Sequence, residues 1–332
     1  MKTFALSLNR TLLLLALAAA PALKAQGAAG IHQYDPKLFQ DVEQMRSAMS
    51  AKGWQFQVGV NPAMQYDLSH LKGFKPGLKP AEFLAHEPGG FANYELPETA
   101  TALPKAFTGV FSSVKDQGQC GSCWAFSTIG SVEGAYLKAH GAANGTISAD
   151  GHINYSSSRP ALSEQQVLSC NPWGWGCDGG NFAFDMLEPV NAGSQGYYPG
   201  AVPAVAFPYV ANAVACAVPS KTTYTPVARW GYVGSSDGIP SVAAIKAAIY
   251  KHGGVSACVY ADNYFQAYTG GVFTPTDNQS PCDHAILLVG WDDAKGAWLL
   301  KNSWGPSWGV DGFMWIQYKA NSVGFSAAWV TE

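Results

Sequence analysis

Residues 120–126, CGSCWAF, place a cysteine directly before a stretch with helical spacing, and this feature constrains the fold more than any other. Apolar side chains recur at three- and four-residue intervals, at Ala125, Ile129, Val132 and Tyr136. Gly121 and Ser122 supply the turn and the cap with which a helix begins. Cys123 is therefore predicted at a helix N-terminus, where unpaired N–H groups and the macrodipole lower a thiol pKa and favour the nucleophilic thiolate. Taken alone, such a Cys-x-x-Cys pair is more often part of a disulfide framework.

A thiolate needs a base, and the last 230 or so residues contain four histidines, at His140, His152, His252 and His284. The first two flank a Gly-, Ala-, Ser- and Asn-rich stretch typical of an exposed loop, and the third ends an amphipathic pattern just before two glycines. His284 instead opens the apolar run 285–291, which is typical of a buried strand. The sequence therefore predicts that a rigid strand holds the His284 ring at its start.

A second apolar run, residues 297–300, is followed closely by Asn302. Antiparallel pairing of the two runs through a turn at 292–296 would bring Asn302 beside His284. The side-chain oxygen of Asn302 could then orient the imidazole, and Trp304 would cover this hydrogen bond from water. The pattern predicts a base with its orienting partner.

Gln117 lies six residues before Cys123 and carries a side-chain amide. This amide can donate to an oxyanion together with the backbone N–H of Cys123. Taken singly, His284 is a core or surface histidine about as often as a catalytic one, and Asn302 is more often a turn residue. Together the four residues form a Cys/His/Asn set with an oxyanion donor.

With these residues in place, the chain resembles the papain-like cysteine peptidases over roughly residues 103–332. The separate motifs that carry the resemblance occur in the family's order, at residues 115–127, 162–166, 177–180, 283–285 and 302–305. The resemblance implies that Cys123 is the nucleophile and His284 the acid/base. It likewise implies that Asn302 orients the histidine and that Gln117 is the oxyanion donor.

The resemblance also implies a substrate-binding set. Gly179 and Gly180 would expose backbone that pairs with an extended peptide, with Asp283 and Trp304 beside it. Ala328, or its neighbour Ala327, would form the floor of the pocket next to the scissile residue. A small uncharged floor predicts an apolar well that accepts Leu, Val or Phe and rejects Arg, because no carboxylate pairs with the desolvated charge.

Seven cysteines leave one over after pairing, as a nucleophile in a disulfide-containing protein requires. The family bridges match in order and context as Cys120–Cys177 and Cys170–Cys216. The family's third bridge usually involves a cysteine near the C-terminus, and this chain has none there. By resemblance, Cys258 and Cys282 line one apolar pocket on adjacent strands, either as a bridge Cys258–Cys282 or as two buried free thiols.

The chain also departs from the family. His284 and Asn302 follow Cys123 by 161 and 179 residues, beyond the usual spacing of roughly 130–150. The domain is therefore expected to carry insertions, with the polar stretch 139–160 as the foremost site. The familiar Asp-Trp-Arg stretch near the start of the mature enzyme is replaced by residues 108–113.

Composition and the N-terminus indicate a secreted hydrolase. Residues 1–25 read as a signal peptide, because a basic start is followed by an apolar run too short to span a bilayer and by small-residue cleavage sites. With 48% hydrophobic and 13% charged residues, a full core can be buried, and a net charge of −3 gives no footprint for nucleic acid. An oxidising compartment follows: extracellular foremost, otherwise periplasmic or lysosome-like.

We expect an α+β, papain-like two-domain fold with a helical half, about 115–216, and a β-barrel-like half, about 224–332, enclosing the cleft. Residues 26–102 differ in character and resemble, loosely, the family's inhibitory propeptide; an independent small domain is the alternative. Cleavage in the Pro/Glu/Thr-rich stretch 95–104 would release the enzyme. One helical stripe in this region runs through Leu38, Val42, Met45 and Met49.

The predicted function is that of a secreted cysteine endopeptidase, made as an inactive precursor, which acts through a thioester acyl-enzyme. Its expected partners are protein or peptide substrates and its own propeptide, with no nucleic acid, membrane, metal or cofactor, and the expected state is a monomer. An endopeptidase is favoured because no His-His pair of the carboxydipeptidase type is found. A non-catalytic homologue and a cell-wall amidase are the alternatives; the intact Gln/Cys/His/Asn set disfavours the first, and the context of Asn302 and the disulfide pattern disfavour the second.

Overall fold

The computed structural model describes residues 34–78, 91–92 and 102–332. The predicted signal peptide, residues 79–90 of the propeptide-like region and most of the predicted processing stretch lie outside the described residues. The described part mixes helices with one large sheet, which confirms the predicted α+β class.

The first helix, α1 (Pro36–Lys52), carries its own start and stop signals. The Asp35 carboxylate accepts the backbone N–H of Lys37, and Gly53 closes the helix at φ 70°, a conformation that glycine adopts without steric cost. Val42 and Met49 are buried in one apolar cluster with strands of the β-rich half. Two predicted members of the stripe, Leu38 and Met45, pack against the same cluster.

After α1 the chain stays attached to the β-rich half through a short strand. Strand β1 (Gln57–Val58) pairs antiparallel with β8 (Tyr268–Gly270), and Phe56 and Val58 are buried with them. The Asn61 side chain donates to the carbonyl of Gln266 at 2.9 Å. Residues of the propeptide-like region thus lie in the same apolar cluster as the β-rich half.

The helical half is built around α2 (Cys123–Ala139), which is buried along most of its length, and α3 (Glu164–Cys170). Ser163 caps α3 by accepting the backbone N–H of Gln166 at 3.0 Å. Ser122 stands at the N-cap of α2, but its hydroxyl makes no cap bond, which corrects the predicted cap. It instead contacts the hydroxyl of Tyr209 at 2.6 Å.

The β-rich half is one sheet whose described strands run in the order β2, β6, β13, β7, β10, β11, β12 and β9, with β3 paired to β10. The strands not yet bounded are β2 (Phe91–Ala92), β3 (Ala106–Thr108), β6 (Arg229–Val233), β7 (Val255–Val259), β9 (Val272–Phe273), β10 (His284–Asp292), β11 (Ala297–Lys301), β12 (Phe313–Gln317) and β13 (Phe325–Thr331). Within this part of the chain the sheet does not close, so the barrel-like description is too strong.

Helices α4 (Val242–His252) and α5 (Asn263–Gln266) complete the described α-helices. Ser241 caps α4 by accepting the N–H of Ala244, and α4 packs beside β13. No helix in the described ranges is long and apolar enough to cross a bilayer.

The predicted insertion, residues 139–160, contains a small hairpin of β4 (Thr146–Ile147) and β5 (Ile153–Asn154). Asp311 anchors it: one carboxylate oxygen accepts the backbone N–H of Ile153 at 3.0 Å and lies 2.9 Å from a ring nitrogen of His152. The segment is thus ordered through contacts with the loop that precedes β12.

Three disulfides tie the chain together. Cys120–Cys177 and Cys170–Cys216 lie in the helical half, and Cys258–Cys282 joins β7 to the segment just before β10. Their Cα separations are 4.7, 4.9 and 5.7 Å, within the range a disulfide needs. Cys123 is the free cysteine and is buried.

Candidate active site

Cys123 is the first residue of α2, and its side chain faces the start of β10. The backbone N–H of Ala285 donates to the Cys123 sulfur at 3.4 Å. Helix α2 and strand β10 therefore bring the predicted nucleophile beside the residue that follows the predicted base. Their contact positions the two halves of the candidate site.

The Cys123 thiol does not have the lowered pKa that its helix position predicted. Burial raises the pKa of Cys123 to about 12, and the N–H groups of Ala285, Gly73 and Trp124 offset this only in part. The side chain is fully buried because another segment of the chain lies over it. In this structure the thiol is therefore neutral at physiological pH.

His284 and Asn302 form the predicted pair. The Nε2 atom of His284 lies 2.8 Å from Asn302 Oδ1, and this oxygen also accepts the backbone N–H of Ser303 at 2.8 Å. An oxygen that accepts both contacts requires the proton on Nε2, so Nδ1 is left as the basic nitrogen. Nδ1 is buried and has no hydrogen-bond partner among the described residues.

Aromatic rings enclose this histidine. The ring of Trp304 lies 4.7 Å from that of His284, and Phe265 lies 6.0 Å away, edge-on. Burial lowers the pKa of His284 to about 4, although the Asn302 hydrogen bond opposes that shift. The imidazole is therefore neutral at physiological pH, and Trp304 lies where the sequence predicted a cover.

Gln117 is fully buried and its amide orientation is fixed by Ser303. The Ser303 hydroxyl donates to Gln117 Oε1 at 2.7 Å, which leaves Nε2 as donor to the carbonyls of Cys120 at 2.8 Å and Leu71 at 3.0 Å. The Trp304 indole also donates to the Leu71 carbonyl, at 3.2 Å. Sequence reasoning missed Ser303, whose only signal was its place directly after Asn302.

A carbonyl of the propeptide-like segment thus occupies the predicted oxyanion donor. The next residues continue through the cleft, where the N–H of Gly180 donates to the carbonyl of Gly73 at 2.9 Å and the N–H of Lys75 donates to the carbonyl of Gly180 at 2.9 Å. Phe74 and Gly180 form a parallel bridge. The N–H of Gly73, rather than its carbonyl, faces the Cys123 sulfur.

Glycines allow this close approach. A Cβ on Gly73 would lie 2.1 Å from the carbonyl oxygen of Gly121, and a Cβ on Gly179 would lie 2.4 Å from that of Gly73. Gly179 also has a φ of 117°, which side-chain-bearing residues rarely adopt. The predicted binding glycines therefore contact an extended chain that already belongs to the protein.

Asp283 is paired with the same segment. Its carboxylate lies 2.6 Å from the Lys72 ammonium and accepts the backbone N–H of Ala261 at 3.0 Å. Burial raises the pKa of Asp283, while Lys72 acts in the opposite direction. Asp283 thus contacts the bound segment through its side chain and, through its carbonyl, the N–H of Phe74 at 2.9 Å.

Ala328, rather than Ala327, belongs to the apolar cluster that surrounds Phe74. The Phe74 ring lies 4.6 Å from that of Phe182 and is 2% exposed. The Phe74 side chain therefore fills an apolar pocket near the predicted nucleophile.

No cluster of three or more His, Cys, Asp or Glu side chains suited to a metal ion occurs among the described residues.

A buried ionic network lies behind the site and was not predicted. Lys115 contacts Glu133 at 2.6 Å and Glu164 at 2.5 Å, while Lys301 donates to Ser112 at 3.0 Å. Burial opposes the charge on Lys115, yet the two carboxylates raise its pKa. The network joins α2 and α3 to the end of β11, directly before Asn302.

The sequence of this chain is similar to that of known proteins. The sequence profile of the papain family of cysteine proteases matches residues 104–331. Digestive cysteine proteinase 1 of Homarus americanus is 32% identical over 259 residues, covering 76% of this chain and 70% of that protein. Digestive cysteine proteinase 2 of the same species is 34% identical over 236 residues, covering 69% and 64%.

Solved structures agree with the sequence comparison. Digestive procathepsin L 3 from the larval midgut of Tenebrio molitor matches with a TM-score of 0.67 at 25% identity, covering 89% of this chain and 90% of that structure. That structure is a precursor, as its name states, and the match extends beyond the residues of the family profile. The chain belongs to the papain family of cysteine proteases.

Proposed function

We propose that this protein is the precursor of a secreted cysteine endopeptidase in which Cys123 is the nucleophile, His284 the acid/base, Asn302 its orienting partner and Gln117 an oxyanion donor. One observation carries the proposal. The Cys123 sulfur, at the start of α2, accepts the N–H of Ala285 at the start of β10, directly after His284, and His284 contacts Asn302 at 2.8 Å. Residues 26–102, of which the structure describes 34–78, 91–92 and 102, act as its inhibitory propeptide.

The reaction follows from these positions once the propeptide has left. Nδ1 of His284 takes the thiol proton, and the thiolate of Cys123 attacks a peptide carbonyl carbon. Gln117 Nε2 and the backbone N–H of Cys123 stabilise the oxyanion, and the imidazolium then protonates the leaving amine. Water, deprotonated by His284, hydrolyses the thioester and restores the thiol.

The propeptide blocks this sequence without becoming a substrate. Its Leu71 carbonyl uses the Gln117 donor, while the Gly73 carbonyl accepts from Gly180. The propeptide group that hydrogen-bonds the sulfur is the Gly73 N–H, which a thiolate cannot attack. The two reacting groups also stay neutral under this cover.

Endopeptidase action is supported by how the propeptide runs. An extended chain passes the thiol on both sides, from Leu71 to Lys75, and holds backbone hydrogen bonds to Gly180 and Asp283. A cleft that accommodates chain on both sides of the nucleophile suits an internal peptide bond. The apolar pocket around Phe74, with Ala328 in its cluster, supports a preference for Leu, Val or Phe over Arg.

Secretion is supported by the signal-peptide pattern of residues 1–25 and by three disulfides. Two relatives are named digestive cysteine proteinases, which supports protein substrates outside the cell. A periplasmic or lysosome-like compartment has the same oxidising character.

The decisive experiment replaces the nucleophile. Cys123→Ala should give a folded precursor that neither processes itself nor hydrolyses peptides, because no other atom can form the acyl-enzyme. Activated wild-type enzyme should gain the mass of one irreversible thiol-directed peptidyl inhibitor at Cys123, read by intact mass. Comparable turnover by Cys123→Ala and wild type would contradict the mechanism. A folded wild-type protein without any turnover would favour a non-catalytic homologue.

A further inference from the structure

Phe74 marks the pocket that a substrate side chain enters beside the reaction centre. Its backbone is held from two sides, by the carbonyl of Asp283 at 2.9 Å and by the bridge to Gly180. It directly follows Gly73, whose N–H faces the Cys123 sulfur. When the propeptide leaves, the volume of the Phe74 ring becomes available to a substrate.

The disulfide Cys258–Cys282 lies next to a residue that holds the Phe74 backbone. Cys282 directly precedes Asp283, the residue that holds the Phe74 backbone, and Cys258 lies opposite Ala285 in the β7–β10 register. Both half-cystines are buried, at 0% and 6% exposure, and belong to the apolar cluster that contains Phe74 and Ala328. The disulfide therefore lies in the same apolar cluster as the bound Phe74 side chain.

A bridge at this place limits the pocket in a way that two separate side chains do not. Cys258 pairs with Ala285, which lies three positions after Cys282. The disulfide therefore crosses the end of the β7–β10 ladder diagonally. Neither half-cystine can rotate to another staggered conformation while the bond exists. The bond also ties β7 to a residue two positions before His284, so the start of β10 cannot shift to admit a larger side chain.

We infer that the Cys258–Cys282 disulfide is a specificity-determining wall of the enzyme, which sets the largest apolar side chain the pocket accepts at about the size of phenylalanine. This inference rests on the proposed peptidase function and deepens it. Peptides with Val, Leu or Phe at the position that enters the pocket are the substrate class it selects, and those with Trp are excluded.

The test compares peptide substrates that differ only at that position, with Phe or Trp, in activated enzyme. The pair Cys258→Ala and Cys282→Ala removes two sulfur atoms and the cross-link. It should raise kcat/KM for Trp relative to Phe by about 10-fold or more, since methylene-sized volumes in a pocket discriminate by that order. The matched control, Cys170→Ala with Cys216→Ala, removes a bridge of the helical half and should leave this ratio unchanged.

A second pair guards against loss of folding. Cys258→Val with Cys282→Leu removes the bond but refills the wall with larger apolar side chains, and it should lower kcat/KM for Phe relative to Val. An unchanged ratio in whichever of these pairs folds, or an equal shift in the control, overturns the inference. Absence of turnover in wild type itself would instead reject the proposed function.

Discussion

One side-chain oxygen of Asn302 receives both the Nε2 proton of His284 and the N–H of Ser303. The second contact fixes which end of the amide points to the ring, and this in turn fixes the histidine tautomer. Ser303 also fixes the orientation of the Gln117 amide, because its hydroxyl donates to Gln117 Oε1. Two adjacent residues thus orient both the proposed base and the proposed oxyanion donor.

For this reason Asn302→Ala should lower kcat by about 10²-fold or less, with little change in KM, because a less well-held imidazole still acts. The Asn302 hydrogen bond raises the pKa of His284. Its removal should therefore move the histidine limb of the kcat/KM profile of the activated enzyme to lower pH. A pH series with a peptidyl substrate measures both effects.

The control for that series is Asn191→Ala, which removes another half-buried amide, one that donates to the Asp185 carbonyl away from the site. It should leave the profile in place. An Asn302→Ala enzyme with wild-type kcat and an unmoved limb would contradict the orienting role.

Among the elements, those with a local signature were the predictable ones. Apolar runs predicted β10 and β11, and three- to four-residue periodicity predicted α1. Pairing partners distant in the sequence had no such signature: the parallel pairing of β12 with β9 and the addition of β3 beside β10 depend on the assembled sheet. The hairpin in residues 139–160 reads as loop because its sequence is polar.

The candidate site divides in the same way. The four predicted site residues, Gln117, Cys123, His284 and Asn302, lie in motifs that are visible in the sequence. Their proximity was therefore predictable. The raised pKa of Cys123 was not, because it depends on burial under residues 71–75, which carry no periodic pattern. That segment is positioned by backbone contacts and by the absence of side chains at glycines, neither of which hydrophobic spacing reports.

The propeptide strand in the cleft depends on one such glycine. In Gly73→Val, the Cβ atom of the branched side chain would lie 2.1 Å from the carbonyl oxygen of Gly121. The segment must therefore move away from Cys123. Overpacking of this kind costs about 1–3 kcal/mol, which corresponds to roughly 5- to 150-fold weaker inhibition. The inhibition constant of the isolated propeptide, added to activated enzyme, measures this loss.

Gly77→Val is the matched control, because a Cβ at Gly77 meets nothing within 4 Å. It should inhibit like the unchanged propeptide. Equal inhibition by the Gly73 and Gly77 variants would show that the segment does not bind the cleft in this manner.

At the scale of the whole molecule, residues 34–78 and the enzyme share one apolar core. Val42, Met49 and Phe56 from the proposed propeptide are buried in the same cluster as Trp298 and Trp308 of the β-rich half. The propeptide therefore shields more than the thiol, and its departure exposes apolar surface that the precursor keeps buried.

Activation should consequently appear in the titration of the thiol. In the precursor the pKa of Cys123 is raised to about 12 and that of His284 is lowered to about 4, so both groups are neutral between these values. Alkylation of Cys123 by iodoacetamide should be slow from pH 5 to 8 and rise only toward alkaline pH. After processing, water reaches both groups, and the reaction should be fast at pH 6.

Rates are read by mass spectrometry of the Cys123 peptide, with the precursor and the activated enzyme under identical buffers. The activated Cys123→Ala protein, processed in trans, reports labelling elsewhere. Matching pH profiles for precursor and activated enzyme would contradict a thiol held neutral by the propeptide.

The same chain that supplies the nucleophile also supplies Lys72, Gly73 and Phe74, and this turns inhibition into a question of effective concentration. While the peptide bonds between the two parts are intact, the cleft faces an inhibitor at a local concentration of about millimolar, whatever the dilution of the protein. After one cut the two parts are separate solutes, and dilution alone favours their separation. An enzyme released into a large extracellular volume would thereby be switched on by the volume it enters.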